Sequence, residues 1–121
     1  MIGKFLRSVV TGFIGLGHVI RSERNMQLHV VAAVTVVVAG FAFGLTAWEW
    51  VAVVFCVGLV LSAECLNTGL ERLADRVSLD RHPLIKQAKD CAAGAVLVLA
   101  MTSAVVGGIV FLPRLRALTW W

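Results

Sequence analysis

Three long apolar stretches constrain the fold of this chain more than any other feature of its 121 residues. The first, Leu28–Leu45, contains no Asp, Glu, Lys or Arg, and as a helix its residues would cover about 27 Å, close to the thickness of a bilayer's hydrocarbon core. The second is Ala52–Ala63 and the third is Cys91–Leu112. Hydrophobic residues make up 60% of the chain and charged residues 15%. We therefore predict an all-α integral membrane protein.

The chain is long enough for one domain, which we predict to occupy residues 1–121. Residues 1–25 have basic residues near both ends and apolar residues at helical spacing, a pattern typical of an amphipathic helix in the membrane interface. A signal peptide is excluded because glycines interrupt the apolar core, and Arg21 and Arg24 follow without a small-residue cleavage site. The predicted spans are residues 28–46, 48–76 and 83–112, and the last two include cytoplasmic extensions.

The ends of the spans carry turn and interface signals. Trp48-Glu49-Trp50 is predicted to be the turn between the first two spans, because indole rings anchor helix ends at the water interface. Pro83 fits the first position of a new helix, and Pro113 is predicted to end that helix. The residues after Pro113 would then form a short interfacial tail that includes Arg114, Arg116, Trp120 and Trp121.

Charge predicts the orientation of the chain and excludes one class of partner. Most lysines and arginines lie in the N-terminal stretch and between the second and third apolar runs, so this side is predicted to be cytoplasmic. The formal net charge is +4, but the basic residues lie in the gaps between apolar runs, which is typical of topology signals and lipid headgroup contacts and not of nucleic-acid binding. Three cysteines without metal-ligand spacing are predicted to be reduced, buried thiols: Cys56, Cys65 and Cys91.

A polar stripe follows the second apolar run with no turn signal between them. Glu64, Asn67, Glu71 and Asp75 lie at i, i+3, i+7 and i+11, which places them within an arc of about 80° on one helix face. Glu64 would lie just inside the apolar slab and the other three would lie outside it. Because carboxylates at the edge of a bilayer are energetically costly, we predict that this stripe is functional.

The same edge of the membrane holds further polar residues, namely Glu23, Asn25, Asp80, His82, Lys89 and Asp90. Carboxylate and amide oxygens suit Mg²⁺, a lysine suits phosphate oxygens, and a buried carboxylate suits a general base. Phosphoryl transfer needs this set, although the chain has no P-loop motif and no protein-kinase signature. Two alternatives stay open: Glu71 to Arg76 could be a solvated helix end with i,i+4 ion pairs, and Glu64 could be a neutral packing residue.

Together these residues resemble the small prokaryotic diacylglycerol kinase and undecaprenol kinase family. The likeness covers nearly the whole chain in matching order and spacing. It implies a homotrimer of three-span subunits, each with an N-terminal amphipathic helix, in the bacterial cytoplasmic membrane, with the active site at the cytoplasmic face. The motifs that carry it are Glu64-x-x-Asn67-Thr68-x-Leu70-Glu71-x-x-x-Asp75, His82-Pro83-Leu84, Ala88-Lys89-Asp90-Cys91-Ala92-Ala93-Gly94-Ala95-Val96-Leu97, and Glu23-Arg24-Asn25 with His29.

The resemblance also implies a reaction and a role for each matching residue. The reaction is transfer of the γ-phosphate of ATP, with Mg²⁺, to the primary hydroxyl of a membrane lipid. Glu64 would be the general base, Glu23 and Glu71 would hold the metal that bridges the ATP phosphates, and Asp75 would support the site. Besides Glu23 and Glu71, the implied nucleotide-binding residues are Lys4, Thr11, Asn67, Asp80, Arg81, His82, Lys89 and Asp90.

Undecaprenol is the predicted lipid acceptor, and diacylglycerol is the alternative. His29, His82-Pro83-Leu84 and Ala92–Ala95 resemble the undecaprenol-kinase branch more than the diacylglycerol-kinase branch. Two hypotheses from other classes remain at this point. One is a non-catalytic scaffold subunit whose polar stripe only joins helices, and the other is a small channel. The channel is disfavoured because the carboxylates cluster at one edge of the slab instead of crossing it.

Overall fold

Four helices make up the fold in the computed structural model, which describes residues 1–77 and 82–119. They are α1 (Ile2–Ser22), α2 (Arg24–Phe43), α3 (Ala47–Val77) and α4 (Pro83–Leu118). No strand occurs in this described part of the chain, so the predicted all-α class is confirmed. Asp80, Arg81, Trp120 and Trp121, which were named above, lie outside the described residues.

Three of the helices, α2, α3 and α4, are long and apolar enough to cross a membrane. They contain 20, 31 and 36 residues, which correspond to about 30, 46 and 54 Å at 1.5 Å per residue. A hydrocarbon core of about 30 Å matches α2 alone, so α3 and α4 extend well beyond it. Helix α3 is central, because α4 packs along it and both α1 and α2 contact it.

A corner at Glu23 joins α1 to α2. Helix α1 runs without a break through its glycines and ends at Ser22, three residues before the predicted boundary at residue 25. The Glu23 backbone is extended, with its N–H donating to Val19 O at 2.9 Å and its carbonyl accepting from Gln27 N at 3.1 Å. The Gln27 side chain also donates to Ile20 O at 3.0 Å, which satisfies a carbonyl at the end of α1. Glu23 is therefore held between two helix ends.

A tight turn built from two local motifs connects α2 to α3. Gly44 ends α2 in the left-handed conformation with φ 67°, which glycine adopts without steric strain. Thr46 Oγ1 accepts a hydrogen bond from Glu49 N at 3.3 Å, and Glu49 Oε1 accepts one from Thr46 N at 3.0 Å. This reciprocal pair is a capping box, and its sequence signal is the Thr-x-x-Glu spacing.

The absence of a side chain at Gly40 lets Trp50 of α3 pack against α2. A Cβ atom at residue 40 would lie 2.6 Å from Trp50 Cη2 and 3.1 Å from Leu45 Cδ1. The Trp50 ring also packs on Phe41, with ring centroids 4.8 Å apart, and Leu45 belongs to the buried apolar cluster beside it. An added methyl group would therefore displace a bulky ring that already has close neighbours.

Replacing Gly40 with alanine should destabilise the folded protein by about 1–3 kcal/mol, because overpacking at a close helix contact forces side-chain and backbone shifts. The measurement is the Tm of the purified protein in detergent. Gly58→Ala is the matched control, since a Cβ at residue 58 meets no atom within 4 Å. A Gly40→Ala protein as stable as the Gly58→Ala protein would contradict the prediction.

Helix α4 does not end at Pro113, so that prediction was wrong; it continues to Leu118. A proline removes one backbone donor and so favours the end of a helix. Here the helix continues, and the residue after the proline, Arg114, is anchored to α3. Arg114 donates from Nη1 to Glu49 Oε2 and from Nη2 to Glu49 Oε1, both at 2.6 Å. Arg114 Nη1 also donates to Val110 O at 2.8 Å. This two-point ion pair holds the end of α4 in place beside the first turn of α3.

Acid should weaken the pair between Glu49 and Arg114. Glu49 lies in the first turn of α3, outside the apolar run 52–63, and hydrogen bonds from Arg114 and Thr46 lower its pKa from 4.5 to about 2. A carboxylate with a lowered folded-state pKa stabilises the fold above its unfolded pKa and loses that contribution as the pH falls. We expect the Tm of the wild-type protein to fall more steeply between pH 4.5 and pH 2 than that of Glu49→Gln. Parallel Tm curves would contradict this.

The three cysteines are free thiols, as predicted, but the prediction that all are buried was wrong. Cys56 and Cys65 are partly exposed, and Cys91 is exposed on the surface of the single subunit. Most side chains of a membrane-spanning helix face lipid or another subunit instead of a core within the same chain, so an apolar run does not by itself imply burial.

Candidate active site

The polar stripe lies on α3, and its burial decreases along the helix toward the polar end. The Glu64 side chain is 3% exposed and Asn67 is 9% exposed, whereas Glu71 is half-buried and Asp75 is exposed. Glu64 and Glu71 are separated by about 10 Å along the helix axis. The most buried carboxylate is therefore the one that adjoins the apolar run.

Glu64 is paired with a histidine from α2. His29 Nε2 lies 3.3 Å from Glu64 Oε1, and the His29 side chain is 24% exposed. His29 was predicted to belong to the family motif and to favour undecaprenol, but it was given no role in the site, although it is a lone imidazole near the start of an apolar run. That isolated polar residue was the available signal, but its partner on another helix could not be read from spacing.

Glu23 is held by an arginine that adjoins Glu71. Arg72 Nη2 donates to Glu23 Oε1 at 3.0 Å and to Ser22 Oγ at 2.8 Å, and Arg72 Nη1 contacts His18 Nε2. These contacts join the corner between α1 and α2 to the turn of α3 that carries Glu71. Arg72 therefore links two predicted metal ligands that are distant in the sequence: it donates to Glu23, and it directly follows Glu71 in α3.

Asp75 is paired with Lys89 of α4. Lys89 Nζ donates to Asp75 Oδ1 at 2.8 Å, and this hydrogen bond raises the pKa of Lys89, which lies outside the apolar run 91–112. Arg72 and Asp75 therefore pair with residues outside α3 and not within it, although both side chains stay exposed to solvent. Asp90 does make an i,i+4 pair, with Lys86 at 2.6 Å, and both side chains are exposed.

Asn67 has an oxygen with no hydrogen-bond partner among the described residues. Its Oδ1 atom is buried between the levels of Glu64 and Glu71. A buried amide oxygen without a partner is costly, because it has lost water and gained nothing in return. Such an oxygen is suited to a ligand that donates a hydrogen bond or to a hard cation.

The other predicted nucleotide residues do not converge on this cluster within one chain. His82 precedes α4, where its Nδ1 accepts from Leu84 N at 3.1 Å and so caps the helix. Lys4 and Thr11 are exposed on α1, about 28 and 18 Å along the helix axis from Glu23. Asp80 and Arg81 lie outside the described residues.

The described residues contain no complete metal cage. In residues 1–77 and 82–119, no group of three or more His, Cys, Asp or Glu side chains is arranged to hold a metal ion. Mg²⁺ does not need such a cage, since it is usually bound by one or two carboxylates together with water and substrate phosphates. Glu23, Glu71 and the unpartnered oxygen of Asn67 are donors of the type that this set uses.

An apolar groove of about 310 Å³ reaches His29, the residue that contacts Glu64. It is lined by α2, α3 and α4, and nearly all of the lining side chains are aliphatic. His29, the partner of Glu64, is one of its few polar lining residues. The groove therefore ends beside the histidine that contacts Glu64, the one buried carboxylate of the described stripe.

Comparison with known proteins gives one family. The model of a family described as prokaryotic diacylglycerol kinase matches residues 11–111. The chain is 40% identical to the undecaprenol kinase of Bacillus subtilis over 94% of this chain and 93% of that protein. It is 38% identical to a diacylglycerol kinase of Synechocystis over 86% of this chain and 60% of that protein. It is also 31% identical to a diacylglycerol kinase of Haemophilus influenzae, over 80% and 83% of the two chains.

Proposed function

The chain belongs to the prokaryotic diacylglycerol kinase family and is a membrane lipid kinase, and we propose that its acceptor is undecaprenol. The observation that carries this proposal is the 40% identity to an undecaprenol kinase along nearly the full length of both chains. The diacylglycerol kinases are 31–38% identical to this chain over shorter matches. Membership of a kinase family also removes the scaffold and channel hypotheses from further consideration.

Glu64 acts as the general base in the proposed reaction. The hydroxyl oxygen of the lipid attacks the γ-phosphorus of ATP, the bond from that phosphorus to the bridging oxygen breaks, and ADP leaves. The hydroxyl proton passes to Glu64. Its burial next to the apolar run supports this role, because a lipid alcohol is held with its chain in the membrane and its hydroxyl at the edge.

Glu23 and Glu71 would hold Mg²⁺ in the proposed site, and the unpartnered Oδ1 of Asn67 is a further oxygen on the same face of α3 as Glu71. When bound, the metal neutralises charge on the phosphate oxygens. Arg72 supports this arrangement, since it fixes the Glu23 carboxylate beside the turn of α3 that carries Glu71. The two carboxylates come from separate helices, so the site depends on the corner at Glu23 as well as on α3.

Lys89 and Asp90 contact the ATP phosphates or order the site in this proposal, and the ion pair between Asp75 and Lys89 supports a fixed position for the ammonium group. A lysine ammonium is a compact point charge that suits phosphate oxygens. Lys4, Thr11, Asp80, Arg81 and His82 remain proposed nucleotide contacts. The length of α1 separates Lys4 and Thr11 from Glu23 of the same chain, which favours a nucleotide contact that reaches between subunits.

The proposed assembly is a homotrimer in the bacterial cytoplasmic membrane with the active site facing the cytoplasm. Two observations support it: basic residues concentrate at the end of the bundle that carries the polar stripe, and large apolar side chains of α1 are exposed in the single subunit. An exposed apolar helix face needs lipid or protein to cover it. The cytoplasmic side is also the side that contains ATP.

The deciding experiment is transfer of labelled γ-phosphate from ATP in mixed micelles, with undecaprenol and diacylglycerol offered separately at equal mole fraction. We expect label in undecaprenyl phosphate. Label mainly in phosphatidic acid would overturn the choice of acceptor and leave the lipid-kinase activity intact. No label in either lipid, with a folded protein that MgATP protects from heat, would mean that both proposed acceptors are wrong.

A further inference from the structure

A general base that receives a proton in every turnover must also release it. Glu64 is poorly placed to do so directly, because its side chain is only 3% exposed. The sequence offers no lysine or arginine one helical turn away, since residues 60 and 68 are Val60 and Thr68. If the proton stayed on Glu64, the carboxyl could not accept a second one, and the enzyme would stop after one turnover.

His29 is the titratable group that the described structure places against Glu64. Its Nε2 atom lies 3.3 Å from Glu64 Oε1, slightly longer than the reach of about 2.6–3.2 Å that direct proton transfer needs, and such contacts tighten when substrate binds. Its side chain is eight times more exposed than that of Glu64, at 24% against 3%. His29 lies about 8 Å along the helix from Arg24, the first residue of α2, so it is near the polar edge of the bundle.

We infer that His29 is a positioning residue that acts through Glu64, orienting the carboxylate and carrying the proton from it to water. After the lipid hydroxyl has given its proton to Glu64, the neutral imidazole accepts that proton at Nε2 and becomes an imidazolium. The Glu64 carboxylate is thereby restored. The imidazolium then releases one proton to water at the membrane edge, which balances the proton taken from the lipid. Imidazole suits this task because one ring nitrogen can accept a proton while the other donates one.

The inference rests on the proposed role of Glu64 as general base, and the alternative is a purely structural contact. A structural contact needs only a hydrogen-bonding group of the right length at residue 29. A relay needs a group that also gains and loses a proton. Glutamine can supply the hydrogen bond but cannot carry the proton, whereas leucine can do neither, so the pair His29→Gln and His29→Leu separates the two roles.

The test measures kcat and the KM for ATP of both variants at neutral pH, with and without added imidazole. We expect kcat of His29→Gln to fall by about 100-fold, at the lower end of what positioned proton-transfer groups contribute, with little change in KM. Free imidazole should restore a large part of the activity in a saturable manner. It should have no effect on the wild-type protein or on Glu64→Gln, which are the controls.

Three results would overturn the relay. The first is a His29→Gln protein with wild-type kcat, and the second is a loss of activity that imidazole does not restore. The third, an active Glu64→Gln protein, would overturn the proposed role of Glu64 as general base together with the relay. If Glu64→Gln were inactive and His29→Gln fully active, Glu64 would remain the proposed base and only the relay through His29 would be overturned. Thermal unfolding in detergent checks that each variant is folded, and His29→Gln decides the question if His29→Leu is not.

Discussion

Replacing Glu64 with glutamine should lower kcat for lipid phosphorylation by about 100- to 10,000-fold, the range that a positioned general base contributes. Glutamine has nearly the same shape as glutamate and can still bond to His29, but its amide cannot accept the hydroxyl proton. The fold should persist, because a neutral amide is less costly to bury than a carboxylate. Binding of MgATP should also persist, since the Glu64 side chain is not among the proposed metal ligands.

The measurement is transfer of labelled phosphate to the lipid, together with the Tm in the presence and absence of MgATP. Glu49→Gln is the matched control, because it removes a carboxylate from the same helix at the opposite end. It should retain kcat while lowering the Tm, since it breaks the ion pair with Arg114. A Glu64→Gln protein with activity close to wild type would show that Glu64 is not the base.

Replacing Glu71 with glutamine should lower kcat/KM for MgATP by about two to three powers of ten and raise the Mg²⁺ concentration needed for half-maximal activity. The reason is that a metal on the phosphate oxygens is worth several kcal/mol in the transition state, and each 1.4 kcal/mol is about tenfold in rate. Glu23→Gln should have the same kind of effect. It should also lower the Tm slightly, because Glu23 pairs with Arg72 and joins two helices.

A Mg²⁺ titration of the initial rate, and of the thermal protection given by ATP, tests this prediction by two independent readouts. Glu49→Gln again serves as the control and should keep the wild-type Mg²⁺ dependence. If Glu71→Gln lost activity but kept that dependence, the residue would act on the nucleotide or the fold and not on the metal. If both variants behaved as wild type, the assigned metal ligands would be wrong.

The helices and the stripe could be predicted because they depend on local sequence. The uncharged run Leu28–Leu45 is long enough to cross a bilayer as a helix, and a helix is the one structure in which a single segment satisfies its own backbone hydrogen bonds. Helix α2 occupies nearly that range. The helical period alone places Glu64 and Glu71 on one face. The end of α4 was predicted wrongly, because proline is a strong local stop signal and the contact that outweighs it, between Glu49 and Arg114, comes from a different helix.

The sequence by itself determined that this chain forms membrane-spanning helices, that a carboxylate stripe continues one of them, and which family it resembles. Only the tertiary structure decided the partners: Arg72 with Glu23, 49 residues away, and Arg114 with Glu49, 65 residues away. It also placed His29 against Glu64. The physical reason is that helix formation depends on neighbours within about one turn, whereas side chains on different helices meet only after packing has set the depth and rotation of each helix.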